Sequence, residues 1–149
     1  MKTWLGSLVL VFMPVVAIAE PNLIGTWQSD RAASAAFNDA HSKLEPKTAD
    51  FHKQSMGRLT LTVGANDIAY LMPDFDATIE GKHHGIVGFS ERHPYKVVAT
   101  TANSVAIITT EPVSHSEVIV VYNFDCPDRM WIYVSTLGQH IREYFTRVR

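Results

Sequence analysis

Hydrophobic positions change their spacing twice along this chain. Residues 4–16 are almost continuously apolar, broken only by Gly6, Ser7 and Pro14. A short apolar lead, Leu23-Ile24, then runs into Gly25-Thr26-Trp27 and a polar stop at Asp30. Past Asp30, a good helix N-cap, Ala33, Ala36, Phe37 and Ala40 recur at helical spacing, which predicts a helix over 31–40. Glu45-Pro46 marks a break and a restart, because proline is tolerated in a first helical turn. A second short helix is predicted from Lys47 to Met56, with Ala49, Phe51 and Met56 as its apolar side chains and Gly57 ending it.

From Arg58 the period drops to two. Leu59, Leu61 and Val63 alternate with threonines, and Ile68–Met72 returns after a Gly64–Asp67 turn. Ala77–Glu80 reads as a short strand, Gly81 and Gly85 interrupt, and Ile86–Ser90 reads as another. The segments 95–100, 104–110, 117–124 and 129–134 are rich in β-branched and aromatic residues and are separated by turn signals. The last strand is expected over His140–Arg147, after Leu137-Gly138-Gln139. Eight to ten strands at short spacing, with no helix between them after Gly57, suit an antiparallel meander. Such a sheet must stack or close, and closure alone removes its edges. The expected fold is therefore mainly β. It is a single closed antiparallel up-and-down barrel, with two short helices between strands 1 and 2 and Trp27 plugging one end.

Composition then narrows the setting. Residues 1–19 resemble a secretory signal peptide: Lys2, an apolar centre, and Ala17-Ile18-Ala19 as a cleavage site. A membrane anchor would need about 20 apolar residues and a positive flank, and neither is present. No cysteine near the site suggests a lipid anchor. The expected mature domain is 20–149, periplasmic or secreted, without stable membrane insertion. Losing Lys2 moves the net charge from −2 to −3, and no basic stripe points to nucleic acid. Cys126 is the single cysteine, so the core stands on burial without an internal disulfide. It reads as a small side chain in a turn, with Arg129 the nearest cation.

Gly25-x-Trp27 on a first strand, followed by a meander, resembles the calycin superfamily of lipocalins, fatty-acid-binding proteins and avidins, in a bacterial secreted form. The resemblance implies that Gly25 and Trp27 are structural, with Trp27 packed across the barrel floor, often under an arginine of the last strand. The helical pair resembles the lid of the fatty-acid-binding branch. Arg142-Glu143-Tyr144 resembles the R-x-Y pair with which that branch holds a carboxylate. The signal peptide and the absence of paired cysteines depart from the fatty-acid-binding and secreted lipocalin patterns respectively.

The candidate ligand-binding residues are Arg142, Tyr144, Trp131, Tyr133 and Tyr122. Alternation puts Arg142, Tyr144, Thr146 and Val148 on one face of the last strand, and Ile141, Glu143, Phe145 and Arg147 on the other. If the first set faces in, Arg142 either holds a ligand carboxylate or stacks on Trp27 and caps carbonyls. The aromatic strand residues either line a cavity or fill the barrel. Seven histidines lack zinc-protease spacing; His83 and His84 would point to opposite faces of a strand, and the set reads as solvated. Asp74-x-Asp76 reads as turn chemistry. No nucleophile elbow, C-x-x-C or phosphate-cradling loop occurs, so no enzyme, metal or cofactor is expected. Two functions follow. One is a carrier of a small apolar ligand held in the barrel, with or without a carboxylate, acting as a monomer or homodimer. The other is an envelope interaction module or inhibitor with a filled barrel.

Overall fold

The computed structural model describes residues 20–134 and 140–149. The predicted signal peptide and the Leu137–Gln139 turn lie outside the described residues. Gly25–Asp30 forms β1, followed by α1 (Arg31–His41) and α2 (Pro46–Ser55). Then come β2 (Thr60–Val63), β3 (Asp67–Met72), β4 (Phe75–Ile79), β5 (Lys82–Ile86) and β6 (Phe89–Thr100). The chain ends with β7 (Ser104–Thr110), β8 (Glu117–Cys126), β9 (Arg129–Tyr133) and β10 (Arg142–Arg147). Eight strands close an antiparallel barrel in the order β1-β10-β9-β8-β7-β6-β3-β2, and β4 and β5 make a separate hairpin. The expected class, closure and helix placement are therefore observed.

Local chemistry explains the elements. Asp30 caps α1 by accepting from the Ala33 amide at 3.0 Å. Proline starts α2, and Gly57 takes φ +87° just beyond it, where a side chain would be strained. Two strand expectations need correction. Gly85 does not interrupt β5, where it pairs with Asp76. The segments 86–90 and 95–100 are not separate strands, because β6 runs unbroken from Phe89. Pro94 sits where β6 changes partner, opposite Asp67 of β3, one residue before Tyr95 pairs with Thr109 of β7. A missing N–H costs least at such a hand-over.

The core lies inside the barrel. Trp27, Leu61, Ile68, Ile107, Tyr122, Met130 and Phe145 are all essentially inaccessible there. Trp27 meets Phe124 edge-on at 5.8 Å and donates from Nε1 to the Leu23 carbonyl at 2.9 Å. The Arg147 guanidinium lies 4.1 Å over the Trp27 ring and donates to the carbonyls of Ile24 and Asn22 at 2.7 Å each. Gly25 makes room for it: a Cβ there would come within 2.5 Å of Arg147 Nη1. This end is the floor. The helices approach the other end, the mouth.

Candidate functional site

Register decides which face of β10 looks inward. Trp27 pairs with Arg147 and Ser29 with Phe145, and directly paired residues share a face. Ile141, Glu143, Phe145 and Arg147 therefore face inward. Arg142, Tyr144 and Thr146 face outward, which corrects the inward placement considered for Arg142. The arginine that stacks on Trp27 is Arg147 instead. A slip of one residue would have reversed every assignment.

On the outer face, four of the five sequence candidates meet. Tyr133 pairs with Arg142 and Trp131 with Tyr144 across β9 and β10. The Arg142 guanidinium lies 3.7 Å from the Trp131 ring and 4.1 Å from Phe37 of α1, so it is clamped between two aromatic planes. It donates to the Tyr133 hydroxyl at 3.1 Å and more weakly to Tyr144 at 3.4 Å. Burial works against its charge, but these hydroxyls outweigh that and raise its pKa. Its Nε is buried without a hydrogen-bond partner, and among the described residues no carboxylate pairs with it. Tyr122, the fifth candidate, is not in this group. It sits in the core on the inward face of β8, where burial raises its pKa well above the ordinary value.

Helix α1 holds the cage from the side, through residues the sequence reading did not single out. Asn38 accepts from the Arg142 amide and donates to the Arg142 carbonyl, both at 2.9 Å. Ser34 Oγ accepts from the Tyr144 amide at 2.9 Å. Strand β1 has ended at Asp30, opposite Tyr144, so these side chains continue the ladder that β1 leaves off. The available signal was a polar pair at i, i+4 on a helix face that is buried.

The cage is the end of a longer outward row. Ala106 lies opposite Val121, Ile108 opposite Ile119, and Asn123 opposite Trp131. Ile119, Val121 and Tyr133 are 65%, 43% and 48% exposed. Lys96 lies opposite Ile108, and Arg129 reaches 4.8 Å over Tyr144 while pairing with Asp125 at 3.6 Å. An apolar and aromatic strip thus crosses β7 to β10, with cations at its ends.

Inside, the barrel carries polar groups that the sequence reading left unassigned. Glu143 is buried at the mouth beside Ser29, whose hydroxyl donates to it at 2.5 Å. Burial pushes its carboxyl up to about 7, with the Ser29 bond opposing only in part. Glu91 and His93, opposite the core residues Tyr70 and Ile68, bond at 2.7 Å. His93 thus faces inward rather than standing in a solvated loop, whereas His83 and His84 are exposed on adjacent positions of β5. Among the described residues, concavities outside the barrel include two beside the helices and the hairpin. One, of about 170 Å³, separates α1 from α2; the other, of about 300 Å³, borders the β4–β5 hairpin.

No family model, no curated protein and no solved structure matches this chain.

Proposed function

We propose that the protein is an exported docking module whose outer β7–β10 face binds a protein partner. The carrying observation is the exposed row of Ile119, Val121 and Tyr133, continuous with the Arg142 cage. Isolated exposed apolar side chains need no explanation, but a contiguous strip across four strands does. Trp, Tyr and Arg are the residues on which binding energy concentrates at interfaces. Here Trp131, Tyr133 and Arg142 stand together, already ordered by packing, so little side-chain entropy remains to be lost on docking. The packed floor fits a barrel that acts as scaffold. The Arg147–Trp27 stack supports the calycin-like reading, and Ala17-Ile18-Ala19 supports export with cleavage before Glu20.

A carrier reading stands second on one observation. Phe89, Val120 and Ile132 are only partly buried although they pack on the core, so a small apolar ligand would lodge among them rather than at Arg142. A photo-crosslinking residue at Tyr133, with one at Lys82 of the hairpin as control, separates the two in the native host. The docking reading expects a discrete protein adduct at 133 that Ile119→Asp abolishes without lowering the melting temperature. Equal adducts at both positions sink it. Native mass spectrometry that finds a co-purified small molecule instead puts the carrier reading first.

A further inference from the structure

We infer that Glu143, Ser29 and the Gly57 backbone form a proton-controlled latch between the barrel mouth and the helical pair. It is closed while the carboxyl keeps its proton and loosened when the proton is lost. Three bonds make the joint. Ser29 Oγ donates to Glu143 and accepts from the Gly57 amide at 2.7 Å, and the Ser29 amide donates to the Leu59 carbonyl at 2.9 Å. One hydroxyl therefore ties β1, β10 and the α2–β2 link together. Around it, Gln28 donates to the Gly57 carbonyl at 3.0 Å, and Arg31 Nε to the Met56 carbonyl at 2.9 Å.

A carboxylate in that position lacks what a buried charge requires. Its neighbours on β9 and β10 are Ile132, paired directly with it, Ile141 and Phe145. The cations nearby are engaged elsewhere: Arg31 on the Met56 carbonyl, Arg58 on the Gln54 carbonyl and the Phe75 ring, and Arg142 on the outer face. Asp30 caps α1, and Tyr144 points outward with Arg142. His52 of α2 lines the interhelical groove, where burial lowers its pKa. Across the barrel the inward titratable groups are Tyr70, Glu91, His93, Tyr95 and Tyr122. Among the described residues none of these groups bonds to Glu143, and the cause of its raised pKa is burial, against which only Ser29 acts.

Ionisation leaves a charge with one hydroxyl donor, and such a charge draws in water. At Glu143 strand β9 continues the ladder on one side. On the other, where β1 has ended at Asp30, α1 closes the seam through the Ser34 and Asn38 side chains, so water enters on neither side without breaking those bonds. The α2–β2 link is the weaker wall. It is held there by side-chain bonds and turns at Gly57, whose φ is +87°.

Hydrogen exchange of the intact protein tests this, with rates corrected for the intrinsic pH dependence. Between pH 6 and pH 8 the ionised share of a group titrating near 7 rises about tenfold. Protection of segment 46–60 should fall by a similar factor in the wild type, while segment 104–110 of β7 keeps its protection. Glu143→Gln should hold 46–60 protected at both pH values. Ser29→Ala retains the acid but cuts the tie, and should leave 46–60 poorly protected at both. An equal loss in β7, a pH response surviving in Glu143→Gln, or a wild-type response in Ser29→Ala would each overturn the latch.

Discussion

Strand β10 carries an arginine near each end of the barrel, one facing in and one facing out, and the two are held in opposite ways. At the floor, Arg147 stacks on Trp27 and sends its donors to the carbonyls of Ile24, Asn22 and Pro127, with Asp128 3.3 Å away. At the mouth end, on the outer face, Arg142 stacks on Trp131, but among the described residues its donors reach only two tyrosine hydroxyls, and Nε has no partner. Both are cation–π pairs of similar geometry. The difference is saturation. A guanidinium whose bonds are spent on the chain's own backbone is part of the fold, whereas one left partly unspent on an exposed face has capacity for something else. The interiors contrast likewise: the floor is aromatic and aliphatic, and the mouth holds a carboxylic acid.

Substitutions at each end should separate these roles. The largest effect is expected at the floor, where Trp27→Ala removes a fully buried ring and should cost about 3–5 kcal/mol in chemical denaturation. An unchanged denaturation midpoint would dissolve the contrast between the ends.

Next comes the mouth acid. The folded chain keeps the Glu143 proton up to about 7, whereas an unfolded glutamate releases it near 4.5. Between those values the unfolded state binds fewer protons, so stability falls as pH rises, by roughly 3 kcal/mol over the whole window. Urea midpoints at pH 4.5 and 7.5 should show this loss in the wild type and a markedly smaller one in Glu143→Gln. Parallel curves would mean that the acid is not coupled to folding.

Arg147→Leu removes the cation from the buried Trp27 ring together with its bonds to the carbonyls of Ile24, Asn22 and Pro127, and should lower stability by about 1–3 kcal/mol. Arg142→Leu is the smallest change. It removes a stack, leaves the half-exposed Tyr133 hydroxyl to water and gives up only a long bond to Tyr144, so the cost should stay below about 1 kcal/mol. Equal losses for the two arginines, measured in the same denaturant, would erase the distinction between a spent and an unspent guanidinium.

Particular residues show where the sequence was readable. Asp30 as a cap, Trp27 as core, and the alternation of β2, β7, β8 and β9 follow from local chemistry and period. Alternation also placed Arg142 with Tyr144 on one face. It could not say which face, because both faces of β10 mix apolar and polar side chains: Ile141 and Phe145 on one, Tyr144 and Val148 on the other. Pairing with Trp27 and Ser29 settles that, and pairing is a long-range property. Tyr122 parted from the other four candidates for the same reason, since its face depends on register with β7 and β9. The continuous β6 was hidden by Pro94, whose cost vanishes only because the strand changes neighbours there. Glu143 gave no signal at all, for a lone glutamate in a strand is ordinarily solvated.

The side chains of Ser34 and Asn38 do for β10 what a longer β1 would otherwise do. The barrel wall is thus zipped along part of one seam by a helix, not by a strand. Seen as a defence, the arrangement occupies backbone groups that a foreign strand would otherwise grip. A chain that lost Asn38 would present the amide and carbonyl of Arg142 as an open docking rung, and a neighbouring molecule's extended segment could pair with it. Self-templated assembly would then begin at this seam, while the floor under Trp27 stayed intact.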